Sequence, residues 1–109
     1  METTTLDNIE LHDAVVESVN IDFLAASITM RIAYYPNAES RQRSEAQLTF
    51  ENVDSVSQIA DLARLRQNRS AGNINYWRPS NADGVTYIYL VDGCIAVTAK
   101  TVRLDLVKG

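Results

Sequence analysis

At 109 residues, with 46% hydrophobic and 22% charged side chains, the chain suits one domain spanning residues 1–109, large enough for its own core and too apolar for disorder. Its formal charge of −4 argues against a general nucleic-acid binder, because neutralising phosphates requires a basic face. No apolar run approaches the roughly 20 residues of a membrane helix, and METTTLDNIELHD lacks both the basic residues and the apolar run of a secretory signal. A soluble cytoplasmic protein with no membrane or nucleic-acid partner is expected.

The charges are unevenly distributed. Glu2, Asp7, Glu10, Asp13, Glu17 and Asp22 occupy the first segment without a Lys or Arg among them, whereas Arg64, Arg66, Arg69 and Arg78 gather later. Such asymmetry steers a charged partner or is consumed by pairing within the fold. Cys94 is the only cysteine, which excludes an intramolecular disulfide, a CxxC redox pair and a multi-cysteine zinc site.

In chain order, Val15, Val19, Ile21 and Phe23 alternate with Ser18, Asn20 and Asp22, the period of a half-buried strand. ITMRIAYYP repeats the pattern with Ile28, Met30, Ile32 and Tyr34 on one face, and the short LAAS connection predicts a hairpin that Pro36 ends. After the polar loop NAESRQRSE, Leu48 and Phe50 alternate with Gln47, Thr49 and Glu51, marking a third strand.

The period then changes. Val56, Ile59, Ala60, Leu62 and Ala63 fall at helical spacing, Ser55 and Gln58 suit a capping box, Asp54 or Asp61 lies toward the positive end of the dipole, and Gly72 suits termination. Arg64, Arg66 and Arg69 would lie toward the negative end.

Four further strands are predicted over NINYWRP, VTYIYLV, CIAVTA and TVRLDLV. Asp92-Gly93 predicts a two-residue hairpin loop pairing Val91 with Cys94, Leu90 with Ile95 and Tyr89 with Ala96. One face then carries Ile88, Leu90, Ile95 and Val97, and the other Val85, Tyr87, Tyr89, Cys94, Ala96 and Thr98. The expected fold is therefore α+β: a mainly antiparallel sheet of about six to seven strands, bent or two-layered, with one amphipathic helix packed on it.

No motif dictates a chemistry. His12 is the only histidine, and neighbouring residues on a strand point to opposite faces, so His12 and Asp13 suit a turn or strand start better than a catalytic pair. Phosphate loops, nucleophile elbows, metalloprotease motifs and calcium loops are absent. No catalytic residue, metal site or cofactor is assigned, although His12 and Asp13 stay in view as a polar site.

Tyr76, Trp77, Arg78, Tyr87 and Tyr89 are the candidate binding surface, because Trp, Tyr and Arg are enriched at interface hot spots. On the alternative reading Trp77 fills the core and Arg78 pairs with an acid of the first strand. A protein-binding surface, a self-association surface in a homo-oligomer, and a small-molecule or enzymatic pocket beside this segment are the three uses considered.

ELHDAVVESVNIDF followed by ITMRIAYY resembles the start of several families of small bacterial proteins of unknown function. Immunity-type proteins of polymorphic toxin systems are among them, with a Leu-His-Asp-Ala/Ser stretch leading into a first β-hairpin. The resemblance covers about the first third of the chain. It implies an antiparallel β-rich fold and a role in binding and neutralising a partner toxin, and brings no catalytic residues. The acidic balance would suit a basic partner.

Overall fold

The computed structural model describes residues 6, 9–37, 39–60, 73–80, 83–91 and 93–107. The alternating segments form six strands: β1 (Val15–Asp22), β2 (Ser27–Tyr34), β3 (Ser44–Ala60), β4 (Ile74–Arg78), β5 (Gly84–Leu90) and β6 (Gly93–Leu106). They make one sheet of order β1-β2-β3-β6-β5-β4, antiparallel at every junction.

The expected α+β class is corrected. Among the described residues there is no α-helix, and the fold is all-β. Residues Ser55 to Ala60, assigned above to a helix start, are the second half of β3, paired with β6 from Ser55↔Thr98 to Ala60↔Gly93. Leu62, Ala63, the arginines 64, 66 and 69, and Gly72 lie outside the described residues.

The helical spacing joined side chains of opposite faces, Val56 packing on the core and Ile59, three residues on, lying 73% exposed, just past a β-bulge between Val53 and Ser55. One extra residue resets the two-residue period, so the inward Val53 and Val56 stand three apart, as on a helix. The β-branched residues and serines of this stretch find their hydrogen bonds in the long partner strand.

The predicted division of CIAVTA from TVRLDLV is also replaced by one strand. The buried side chains of β6 are Ile95, Val97 and Ala99, and beyond Lys100 the half-buried ones are Val102 and Leu104. The inward row changes phase there, opposite Asn52 of β3, whose φ is 54°. Asn tolerates this left-handed backbone better than most residues. The next amide, Val53 N–H, donates to the carbonyl of Ala26 in the β1–β2 turn at 2.9 Å.

The sheet thus bends across its two longest strands. One half comprises β1, β2, the start of β3 and the end of β6. The other comprises the end of β3, the start of β6, β5 and β4. One apolar cluster draws on both halves, with Ile28, Met30, Ile32, Leu48 and Phe50 from the first and Ile74, Trp77, Ile88, Ile95 and Val97 from the second. Each large side chain removed from water contributes about 2 kcal/mol.

The edge strands meet at a bridge between Val15 and Asn73. Ahead of it, the amide of Asp13 donates to Ile74 O at 2.9 Å and Ile74 N–H donates to Ala14 O at 2.7 Å. Leu11 and Ala14 are wholly buried, and Trp77 Nε1–H donates to Ile9 O at 2.9 Å. The ELHDAVV stretch therefore seals the edge of β4, which gives the Leu-His-Asp-Ala pattern a structural role.

The apolar row predicted for the first strand runs past its end. Phe23 lies in the turn after β1 and is 89% exposed, and Ile21 is 41% exposed. Asp22 ends the strand, its carboxylate accepting the Ala25 amide at 3.0 Å.

In the second hairpin, Leu90 pairs with Gly93, Tyr89 with Cys94 and Ile88 with Ile95. The predicted pairs are displaced by two partners, which leaves every side chain on its expected face. Gly93 belongs to the strand because the β3 backbone passes close: a Cβ there would lie 2.3 Å from Ile59 O. Asp92 lies outside the described residues.

Candidate binding surface

Inward packing of Ile88 and Leu90 forces Tyr87 and Tyr89, which alternate with them, onto the outer face of β5. Tyr76 of β4 pairs with Tyr89 and Arg78 with Tyr87. On the other side, Tyr89 pairs with Cys94 and Tyr87 with Ala96, and Ala96 in turn pairs with Ser57 of β3. Three bulky rings therefore stand beside a strip of small residues.

Tyr76 and Tyr89 stack with centroids 4.6 Å apart, and Tyr87 and Tyr89 with centroids 6.0 Å apart. Tyr76 is 47% exposed and Tyr87 36%. Burial, followed by the neighbouring Tyr76, Cys94 and Tyr87, holds the Tyr89 phenol above its ordinary range, against a lowering by Arg78. Because the rings face one another, the group presents hydroxyls and ring edges more than open faces.

The predicted surface residues do not act as a unit. Tyr76, Arg78, Tyr87 and Tyr89 come together on the outer face, whereas Trp77 points into the core and is only 8% exposed. Arg78 does not pair with an acid of β1; it is exposed and makes no ion pair among the described residues.

His12 and Asp13 are brought together by a turn rather than separated on a strand, and Asp13 takes a φ of 68°. His12 Nδ1 donates to Asn75 O at 2.7 Å, and Nε2 lies 3.5 Å from Asp13 Oδ2. The carbonyl of Asn75, then the Asp13 carboxylate, raise the imidazole above its ordinary value. Both ring nitrogens are thus engaged, one by backbone, which suits a clasp on β4 better than a general base. Among the described residues, no group of three metal-ligating side chains converges.

Sequence reasoning missed the polar surface on the other half. Arg103 donates to Glu51 across the strands and, through Nε, to Asp105 at 3.1 Å. Arg31 Nη2 donates to Glu45 Oε1 at 3.5 Å. Glu17 shares a hydrogen bond with Glu45, which raises its carboxyl above the ordinary range, with burial and the Glu45 charge adding and Arg31 opposing. Glu17 lies where β1 bulges between Val16 and Ser18, a register feature that no local sequence pattern revealed.

Among the described residues, no helix is long and apolar enough to cross a membrane. No protein-family model, curated protein or solved structure matches the chain.

Proposed function

We propose that the protein is a non-enzymatic, cytoplasmic protein-binding module, immunity-like in the sense its opening resemblance implies, with the outer face of β4 and β5 as its contact surface. The observation that carries this reading is the stacked group of Tyr76, Tyr89 and Tyr87 beside Arg78. These rings are already ordered by one another, so a partner covering them removes apolar area at little rotamer cost while hydroxyls and the guanidinium find acceptors. A stacking small-molecule ligand fits less well, because Trp77 is committed to the core and Tyr89 shares its faces with its neighbours.

A basic partner suits the net charge of −4, which raises the rate of encounter, whereas the tyrosines hold the complex once formed. The acidic β1 and the tyrosines lie in different halves of the sheet, so steering and contact are separate tasks. The test is affinity capture from native lysate with wild-type protein and a Tyr87→Ala/Tyr89→Ala variant, with light scattering on each eluate. A stoichiometric basic protein retained by the wild type and lost by the folded variant supports the reading. Equal recovery by both, or a wild type found only as a homo-oligomer, rejects it.

A further inference from the structure

We propose that His12 is a positioning residue of the tyrosine surface: its imidazole holds a β-bulge at Asn75 and so sets, in a proton-dependent way, the strand phase that presents Tyr76 outward and buries Trp77. The use of this device to control binding rests on the surface proposed above, whereas the coupling itself is tested without a partner. Ile74 pairs with Leu90 and Tyr76 with Tyr89, so Asn75 is one residue more than β5 matches. An extra residue reverses the alternation of a strand. Ile74 and Trp77 are accordingly both buried although they stand three apart, and Tyr76 between them is outward, its ring centroid 4.6 Å from that of Tyr89. A regular β4 with Ile74 inward would turn Tyr76 into the core and Trp77 to the outer face.

The segment ahead of β1 holds this bulge from the other side. Asp13 N–H donates to Ile74 O at 2.9 Å, and Ile74 N–H donates to Ala14 O at 2.7 Å. The Asn75 carbonyl is met by a side chain instead: His12 Nδ1–H donates to it at 2.7 Å, with Nε2 3.5 Å from Asp13 Oδ2. Trp77 Nε1–H donates to Ile9 O at 2.9 Å, which fixes the inward ring. Of these ties between residues 9–14 and β4, the one at the bulge is the one that titrates.

Protonation decides how firmly that tie holds. A charged ring makes a charge-assisted hydrogen bond to Asn75 O and still offers Nε2–H to Asp13, whereas a neutral ring has one N–H for both and a weaker bond to give. The Asn75 carbonyl first, and then the Asp13 carboxylate, favour the charged ring; desolvation opposes them and Glu10 adds a smaller pull. Among the described residues, the other charged or titratable groups around this turn come from the β2–β3 connection. Tyr35 and Arg41 share a cleft with His12, and Arg43 Nε–H donates to Asp13 O at 3.1 Å. The bulge, and with it the outward place of Tyr76, is thus held most firmly below the pH at which His12 releases its proton.

The test is NMR of the full chain, isotopically labelled, from about pH 5 to about pH 9, a range that brackets an imidazole titration. The expected result is one shared midpoint for the His12 ring, the Trp77 indole N–H and the Tyr76 and Tyr89 ring resonances. His12→Gln, whose amide donates without titrating, should keep the Tyr76–Tyr89 ring contact and abolish the shared midpoint, and Asp13→Asn should lower it. His12→Ala should speed exchange of the Asp13 and Ile74 amides about tenfold and weaken the ring contact at every pH. Should His12→Ala fail to fold, the wild-type, glutamine and asparagine titrations decide. Tyr76 and Trp77 resonances that ignore the His12 midpoint, a shared midpoint that survives His12→Gln, or an unchanged Tyr76–Tyr89 contact in folded His12→Ala would overturn the proposal.

Discussion

Before the bend, the outward residues of β6 are Cys94, Ala96 and Thr98; beyond it they are Thr101, Arg103 and Asp105. The first set is small, and the tyrosines of the neighbouring strand stack beside it. The second includes the charged Arg103 and Asp105, which bind each other, and Arg103 also binds Glu51 across the strand boundary. One strand thus serves two surfaces, and cross-strand neighbours decide which. Where small residues flank large ones, aromatic area remains exposed. Where charges oppose charges, the surface satisfies itself and contributes little to either stability or adhesion.

The comparison presupposes that both halves share one core, and the largest effects test that. Trp77→Ala removes a buried ring and its bond to Ile9 O, and should cost about 3–5 kcal/mol in urea unfolding. A loss below 1 kcal/mol would show that the β4 edge folds apart from the rest, as a rough threshold. Gly93→Ala sets a methyl against Ile59 O and should cost about 1–3 kcal/mol, because the backbone must move.

The surfaces themselves should respond less. Tyr89→Ala removes the ring that contacts both others and should cost about 1–2 kcal/mol of stability, by chemical denaturation. Arg103→Ala, on the charged half, should cost less than about 1 kcal/mol, and that difference should shrink in high salt. If the arginine loss equals the tyrosine loss, the contrast between a stacked and a self-paired surface is wrong.

His12 supplies a pH-dependent term at the seam between the halves. Its native pKa is raised above 6.5 by the Asn75 carbonyl and then Asp13, so the folded state binds the proton more tightly than the unfolded chain. The resulting stability is complete below the unfolded value and is lost as pH rises through the raised native value. A His12→Gln variant should show a flatter stability profile above about pH 6. Unchanged pH dependence would remove His12 from the clasp.

Sequence period proved legible wherever a strand ran without interruption. The inward rows Ile28-Met30-Ile32 and Leu48-Phe50 follow strict alternation, and the outward placement of Tyr87 and Tyr89 survived a displaced register because the displacement was even. Reading failed at phase changes. The spacing of Val56 and Ile59, which the strand puts on opposite faces, imitated a helix, the slip at Lys100 imitated two strands, and the alternation through Phe23 ignored the end of β1. Trp77 was ambiguous because a five-residue strand supplies too few positions to say which face is inner.

The sequence alone determined the chemistry available to this protein and the face on which most strand residues lie, because alternation is a local property of an extended backbone. It also excluded an intramolecular disulfide and cysteine-cluster metal sites by count. Only the tertiary structure decided that β3 and β6 are long and bend together at Asn52 and Lys100, since that bend depends on residues far apart in the chain. The same holds for the stack of Tyr76 on Tyr89, for the crowding of Glu17 with Glu45, and for the clasp of His12 on Asn75. Each arises from strand order and register, which non-local backbone pairing fixes and no short stretch of sequence encodes.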